Sequence, residues 1–189
     1  MLATKHHPNL LNADNTLIVV IDMQEPLLRK IFEAERVKQQ VCALMQGANA
    51  LRIPIIGTTQ YAEKMGDILT DVKKLLPQNL PAFDKLSFSS YGSPAFASEV
   101  SRSGRKQILI CGVESHICVS QTAHELLAAG YQVHIAVDAV SSRTETNWRV
   151  GLDKMRQGGV LLSSVEMALF ELLAEAGTPE FREVLKIVK

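Results

Sequence analysis

Three side chains of complementary chemistry stand where the sequence places the ends of strands: Asp22, Lys85 and Cys118. A carboxylate can take a thiol proton, an ammonium can hold the resulting thiolate, and the sulfur can attack a carbonyl carbon. Each residue also has a plainer reading. Asp22 can cap a helix or bind a ribose, Lys85 can be a solvated surface charge, and Cys118 can be a small packed core residue. Spacing along the chain does not bring the three within reach of one another, so at this level both readings stand.

The elements that must position them are read from hydrophobic periodicity. Residues 108–111 are a short apolar run, the pattern of a strand buried on both faces. Gly112 breaks it, Glu114, Ser115 and His116 make a polar corner, and Cys118 leads an amphipathic pattern through Ala123, Leu126 and Leu127 to Gly130. That is strand, tight turn, helix, with the cysteine where the helix begins. The unpaired N–H groups and positive dipole end of a helix favour thiolate over thiol. The aliphatic run 17–21 ends at Asp22 and reads as a central parallel strand, whose carboxyl end is the edge where ligands bind in open α/β sheets. A weaker strand, 83–86, carries Lys85.

Around these, helical spacing covers 31–51, and a strand at 53–57 leads into a polar turn at 58–61. Ser93 and Pro94 form an N-cap and N1 pair for a helix ending at Gly104. A fifth strand spans 132–137 and ends at Asp138, a helix spans 145–157, and a brief sixth strand spans 160–162. Helices at 165–176, closed by Gly177, and at 180–188 finish the chain. The expected fold is α/β: a single three-layer doubly wound domain with a mostly parallel six-stranded sheet and helices on both faces. It occupies residues 17–189 behind an N-terminal tail at 1–16.

The chain has 189 residues, enough for one substantial core, with 47% apolar and 21% charged residues. Twenty basic residues balance twenty acidic ones, which gives neither the basic stripe of a nucleic-acid binder nor a polybasic membrane arm. No apolar run approaches the ~18 residues of a membrane span. The first sixteen residues, with His6 and His7 before Pro8, lack a signal-peptide core. Cys42, Cys111 and Cys118 fit neither a zinc site nor a disulfide framework, and a reducing, cytoplasmic compartment is expected.

Asp22 within VIDMQ (20–24), Lys85 before Ser87 and Phe88, and GVESHICV (112–119) together resemble the isochorismatase-like cysteine hydrolase superfamily, which includes nicotinamidases and N-carbamoylsarcosine amidohydrolases. Further similarity at Gly130 and Tyr131, in VDAVSSR (137–143) and in VEMALFE (165–171) points to its uncharacterised isochorismatase-domain hydrolases. The resemblance implies hydrolysis of a small amide-, imide- or carbamoyl-type C–N bond through a thioester. Asp22 would be the general base, Lys85 the cation that depresses the thiol pKa, and Cys118 the nucleophile. It further implies a non-proline cis peptide at Val113–Glu114, aiming the N–H of Glu114, with that of Cys118, at the developing oxyanion. It also implies a homo-oligomer, for which the last two helices offer apolar positions. Two departures narrow the chemistry. Metal-binding nicotinamidases carry Asp-x-His and another histidine beyond the second strand, to hold the ring nitrogen of the substrate. This chain has TTQY (58–61) there and no histidine between His7 and His116, so neither a metal nor nicotinamide as substrate is expected, and no cofactor is called for. Isochorismatases proper lack the cysteine, which argues against isochorismate.

Gln24, Tyr61 and Phe88 are candidates for substrate contact, with a turn role for Gln24 and core roles for the rings as the alternatives. Asp138 reads as a structural cap and His116 as a turn residue near the substrate. His124 and His134 have no partner at ligand spacing, and His6 and His7 belong to the tail. A dinucleotide site fails because residues 22–26 contain no glycine, and a double-aspartate phosphatase fails because Gln24 stands where the second acid is needed. The remaining rivals are a catalytically silent small-molecule-binding or scaffold protein that keeps the fold, and a redox-sensing Cys118.

Overall fold

The computed structural model describes residues 7–80 and 82–189; His6 lies outside them. The chain runs β1 (Thr16–Ile21), α1 (Glu25–Leu28), α2 (Ala34–Ala50), β2 (Ile55–Gln60), α3 (Ala62–Met65), α4 (Thr70–Lys73), β3 (Phe83–Lys85) and α5 (Pro94–Arg102). It continues with β4 (Gln107–Val113), a π-helical turn (Ser115–Val119), α6 (Ser120–Ala128), β5 (Gln132–Ser141), α7 (Glu145–Gln157), β6 (Leu161–Ser163), α8 (Val165–Leu173) and α9 (Pro179–Val188).

The six strands form one sheet in the order β3-β2-β1-β4-β5-β6, and every pairing is parallel. The continuous apolar runs of β1 and β4 are explained by their place in the middle, where every residue of both strands is buried. On one face Val37, Val41 and Leu44 of α2 pack with Val165 and Leu169 of α8 and Val184 of α9. On the other, Phe96 and Val100 of α5 join Ala123 and Leu126 of α6 and Met155 of α7. This is the three-layer, doubly wound arrangement. Strand order reverses between β1 and β4, so a crevice opens at their carboxyl ends.

Several boundaries differ from those read in the sequence. The chain is anchored from Leu11, which is fully buried and donates its N–H to the Glu171 carboxylate at 2.9 Å; the tail expected at 1–16 therefore ends earlier. β2 starts after Pro54 and runs through Gln60, so the residues expected in a turn continue the strand. β5 runs past Asp138 to Ser141, with an irregular register opposite Ile110 and Gly112. Asp138 caps, but caps a helix: its carboxylate accepts the N–H of Val165 at the start of α8, at 2.9 Å. α8 stops at Leu173 with Ala174 at φ 61°, ahead of Gly177. Among the described residues no helix is long and apolar enough to cross a membrane.

One glycine is demanded by the centre of the sheet. A Cβ on Gly112, at φ 110°, would lie 2.1 Å from the carbonyl oxygen of Ile21. Only glycine lets β4 leave the sheet this close to the residue that precedes Asp22.

Candidate active site

Asp22 follows β1 directly, at φ 50°, with its N–H bonded to the Thr58 carbonyl at 3.2 Å. Its carboxylate is wholly buried. Oδ1 accepts from Thr58 Oγ1 at 2.7 Å, and Oδ2 accepts from Lys85 Nζ at 2.7 Å. Lys85 ends the edge strand β3 and reaches across β2 to Asp22, with its side chain completely buried. The same ammonium donates to Gln60 Oε1 at 2.7 Å and to the Phe88 carbonyl at 3.2 Å. A buried cation is tolerable only when paired and hydrogen-bonded, and this one is both.

Cys118 lies in the π-helical turn between β4 and α6, not at the first position of a regular α-helix. Such turns occur often at functional sites. Thr122 Oγ1 donates to the Cys118 carbonyl at 2.7 Å, and the Val119 N–H reaches back to the Glu114 carbonyl at 3.2 Å. Cys118 is 7% exposed, and its sulfur stands 3.8 Å from Gln60 Oε1. Asp22, Lys85 and Cys118 are thus brought to one point above the β1/β4 crevice.

The thiol is not acidified at rest, contrary to the sequence expectation. Burial first, and the Asp22 charge second, push it up to about 12; Lys85 and the backbone N–H of Glu114 pull the other way without prevailing. Cys111 is pushed up further by complete burial, and Cys42 is raised by burial as well.

The Val113–Glu114 peptide is cis. The Glu114 carboxylate turns away to Arg143, accepting from its backbone N–H at 2.9 Å and its Nε at 3.1 Å. Gln24 is fully buried with its amide committed to backbone: Oε1 accepts from Gln60 N–H at 2.7 Å, and Nε2 donates to the carbonyls of Gly66 at 2.6 Å and Gln60 at 3.2 Å. It braces the end of β2 in place of meeting a ligand. Tyr61 donates its backbone N–H to the Lys85 carbonyl, and Tyr61 and Phe88 are 39% and 56% exposed. His116 Nδ1 pairs with Ser142 Oγ at 2.9 Å, and His124 Nδ1 with the Ser120 carbonyl at 2.6 Å. His7 is exposed at the far end of the chain. Among the described residues no group of three His, Cys, Asp or Glu side chains could hold a metal ion.

Sequence reasoning missed Thr58, Gln60 and Gly151. The first two had a signal: they are two apart, hence on one face of a strand, once β2 is carried to its full length. Gly151 of α7 had none. A Cβ there would lie 2.9 Å from the carbonyl carbon of Ser115 and 3.0 Å from the His116 nitrogen, so its absence lets α7 press against the turn that holds Cys118.

The isochorismatase domain profile matches residues 16–167. Among proteins of similar sequence is the secreted isochorismatase effector Isc1 of Phytophthora sojae, 36% identical over 183 residues, covering 93% of this chain and 85% of that protein. Among solved structures, the MAR1 ribonuclease of Caenorhabditis elegans superposes with a TM-score of 0.89 at 32% identity, covering 95% of this chain and 92% of that one. YcaC of Escherichia coli, described as an octameric hydrolase of unknown specificity, shares the fold with a TM-score of 0.86 at 24% identity, over 98% of this chain and 89% of that one. The all-parallel sheet with its switch-point crevice is the α/β fold of the isochorismatase-like superfamily. The chain belongs to the isochorismatase domain family.

Proposed function

We propose that this chain is a cysteine-dependent hydrolase that cleaves the C–N bond of a small amide, imide or carbamoyl compound through a thioester on Cys118. The observation that carries this reading is the buried Lys85–Asp22 pair, 2.7 Å apart, set beside the Cys118 thiol. Because the resting thiol is protonated, its proton passes to Asp22 as the sulfur attacks. The S–C bond forms, and the carbonyl electrons move onto oxygen, facing the backbone N–H groups of Glu114 and Cys118. Each such donor contributes roughly 3 kcal/mol to lowering the barrier. The C–N bond then breaks, and the nitrogen leaves with the proton held by Asp22. Water attacks the thioester and gives a proton to Asp22, the C–S bond breaks, and the thiol recovers that proton. Lys85 offsets the charge on sulfur throughout. Cys118→Ala is expected to abolish turnover while leaving the fold intact; full activity in that variant would end the proposal.

The ribonuclease described from Caenorhabditis elegans makes RNA the second substrate to assay. Twenty basic against twenty acidic residues leave no excess charge for a phosphodiester backbone, which places a small neutral amide first. Copies of the chain are proposed to associate through α8, where Met167 is 53% and Phe170 38% exposed. The unpaired thiols of Cys42, Cys111 and Cys118 favour the cytoplasm. The secreted Phytophthora sojae relative supplies the alternative location to test by fractionation.

A further inference from the structure

Gln60, like Asp22, touches both the cation and the nucleophile, yet it belongs to none of the roles assigned above. Its Oε1 accepts from Lys85 Nζ at 2.7 Å and faces Cys118 Sγ at 3.8 Å. Its Nε2 donates to the Leu86 carbonyl at 3.0 Å, tying it to the loop that follows Lys85. Its backbone is clamped from both sides by the buried amide of Gln24, through the N–H at 2.7 Å and the carbonyl at 3.2 Å. An acceptor held this firmly is pre-organised, and it sits where the first proton transfer removes another acceptor from the same ammonium.

At rest Lys85 is held chiefly by the Asp22 carboxylate. When Asp22 takes the thiol proton it becomes a neutral acid, and its grip on the ammonium weakens from a charge-assisted bond to an ordinary one. At that moment the sulfur most needs the cation. An amide oxygen does not titrate in this range and cannot compete with Asp22 for the proton, so its hold on Lys85 is the same before and after the transfer. We propose that Gln60 is a positioning residue, whose side-chain carbonyl keeps Lys85 beside the sulfur during the part of the cycle in which Asp22 is uncharged. This rests on the reading of Cys118 as nucleophile. It explains why a half-buried glutamine is braced by a fully buried one at the end of β2, a device that a substrate contact or a turn would not need.

The test requires no substrate. Asp22→Asn imitates the neutral acid, and the pH midpoint of Cys118 alkylation by iodoacetamide, with the adduct located by mass spectrometry, reports how well the thiolate is held. The charged groups acting on this sulfur are Asp22 and Lys85; the Glu114 carboxylate is turned to Arg143. Asp22→Asn is expected to lower the midpoint, because Lys85 then acts unopposed. Adding Gln60→Leu to that variant is expected to raise it again, by at least one pH unit, which is tenfold in alkylation rate below the midpoint. Equal midpoints in the single and double variants would overturn the proposal. Gln60→Met in the otherwise unaltered chain gives a second reading if Asp22→Asn does not fold, because it keeps the bulk of the side chain and removes the acceptor. It is expected to slow alkylation of Cys118 at neutral pH at least tenfold, with alkylation of Cys42 unchanged. A native Cys118 rate in Gln60→Met would show a purely space-filling glutamine and overturn the proposal. Failure of the nucleophile reading looks different: Cys118 would then label no differently from Cys42 in the native chain and in Asp22→Asn alike.

Discussion

Asp22 acts on Cys118 in two opposing ways, and the opposition is open to measurement. Its charge helps to hold the thiol proton in place, yet it is also the group that must take that proton during attack. Asp22→Asn is therefore expected to speed alkylation of Cys118 near neutral pH while slowing hydrolysis at least ~100-fold. Slower alkylation and unchanged hydrolysis would reverse both assignments. In the native chain, alkylation of Cys118 should still be rising at pH values where an ordinary thiol, with a pKa of ~8.5, has reached its plateau. Lys85→Met is expected to push the thiol up further and to cost roughly 3–5 kcal/mol of stability, since it leaves the buried Asp22 carboxylate without its cation. Equilibrium denaturation checks the second figure. At this scale the sequence was informative about residue identity and silent about balance. Asp22, Lys85 and Cys118 are legible from type and motif. The burial that outweighs Lys85 comes from layers far apart in the chain, which is why the expected acidified thiol became a protonated one.

The elements decide where these side chains meet. β1 and β4 were plain in the sequence because central strands of a parallel sheet are apolar throughout. β2 is longer than its apolar run because its last residues, Thr58 and Gln60, are polar; they point at the site, and polarity at a strand end looks like a turn. The pattern of β5 breaks at Asp138 for the same reason, although the strand continues through a register irregularity to Ser141. The contact between α7 and the π-helical turn had no signature at all. It tests the element scale directly: Gly151→Ala is expected to displace the turn that carries Cys118, costing roughly 1–3 kcal/mol of stability and lowering turnover more than a change on the exposed side of the same helix, such as Lys154→Ala, would. A fully active, equally stable Gly151→Ala chain would show that α7 does not hold the turn.

For the whole molecule, the strand order puts Asp22 and Cys118 on either side of the point where the sheet winding reverses, with Gln60 and Lys85 on successive strands outward. The sequence pattern indicated this architecture but not the strand order that makes the crevice. It also gave no reason to single out His134, which lies on β5 with 2% exposure and an Nε2 without a partner. Burial lowers its pKa to about 4 from the ordinary 6.5. The unfolded chain binds that proton first as pH falls, so the stability present above pH ~6.5 declines through the interval toward pH ~4, by about 3 kcal/mol in all. Urea denaturation across this range should show the decline, and His134→Leu should flatten it; an unchanged slope would mean that other groups carry the acid sensitivity.

The most direct test of the central claim is hydrolysis of a panel of small amides, imides and carbamoyl compounds, followed by intact-mass measurement for an acyl group on Cys118. The native chain is expected to consume at least one member of the panel and to carry its acyl group on Cys118 during turnover, with both signals gone in Cys118→Ala. Hydrolysis that survives Cys118→Ala would contradict the thioester route. A native chain that binds members of the panel and cleaves none would contradict the enzyme itself and leave a binding protein built on a hydrolase fold.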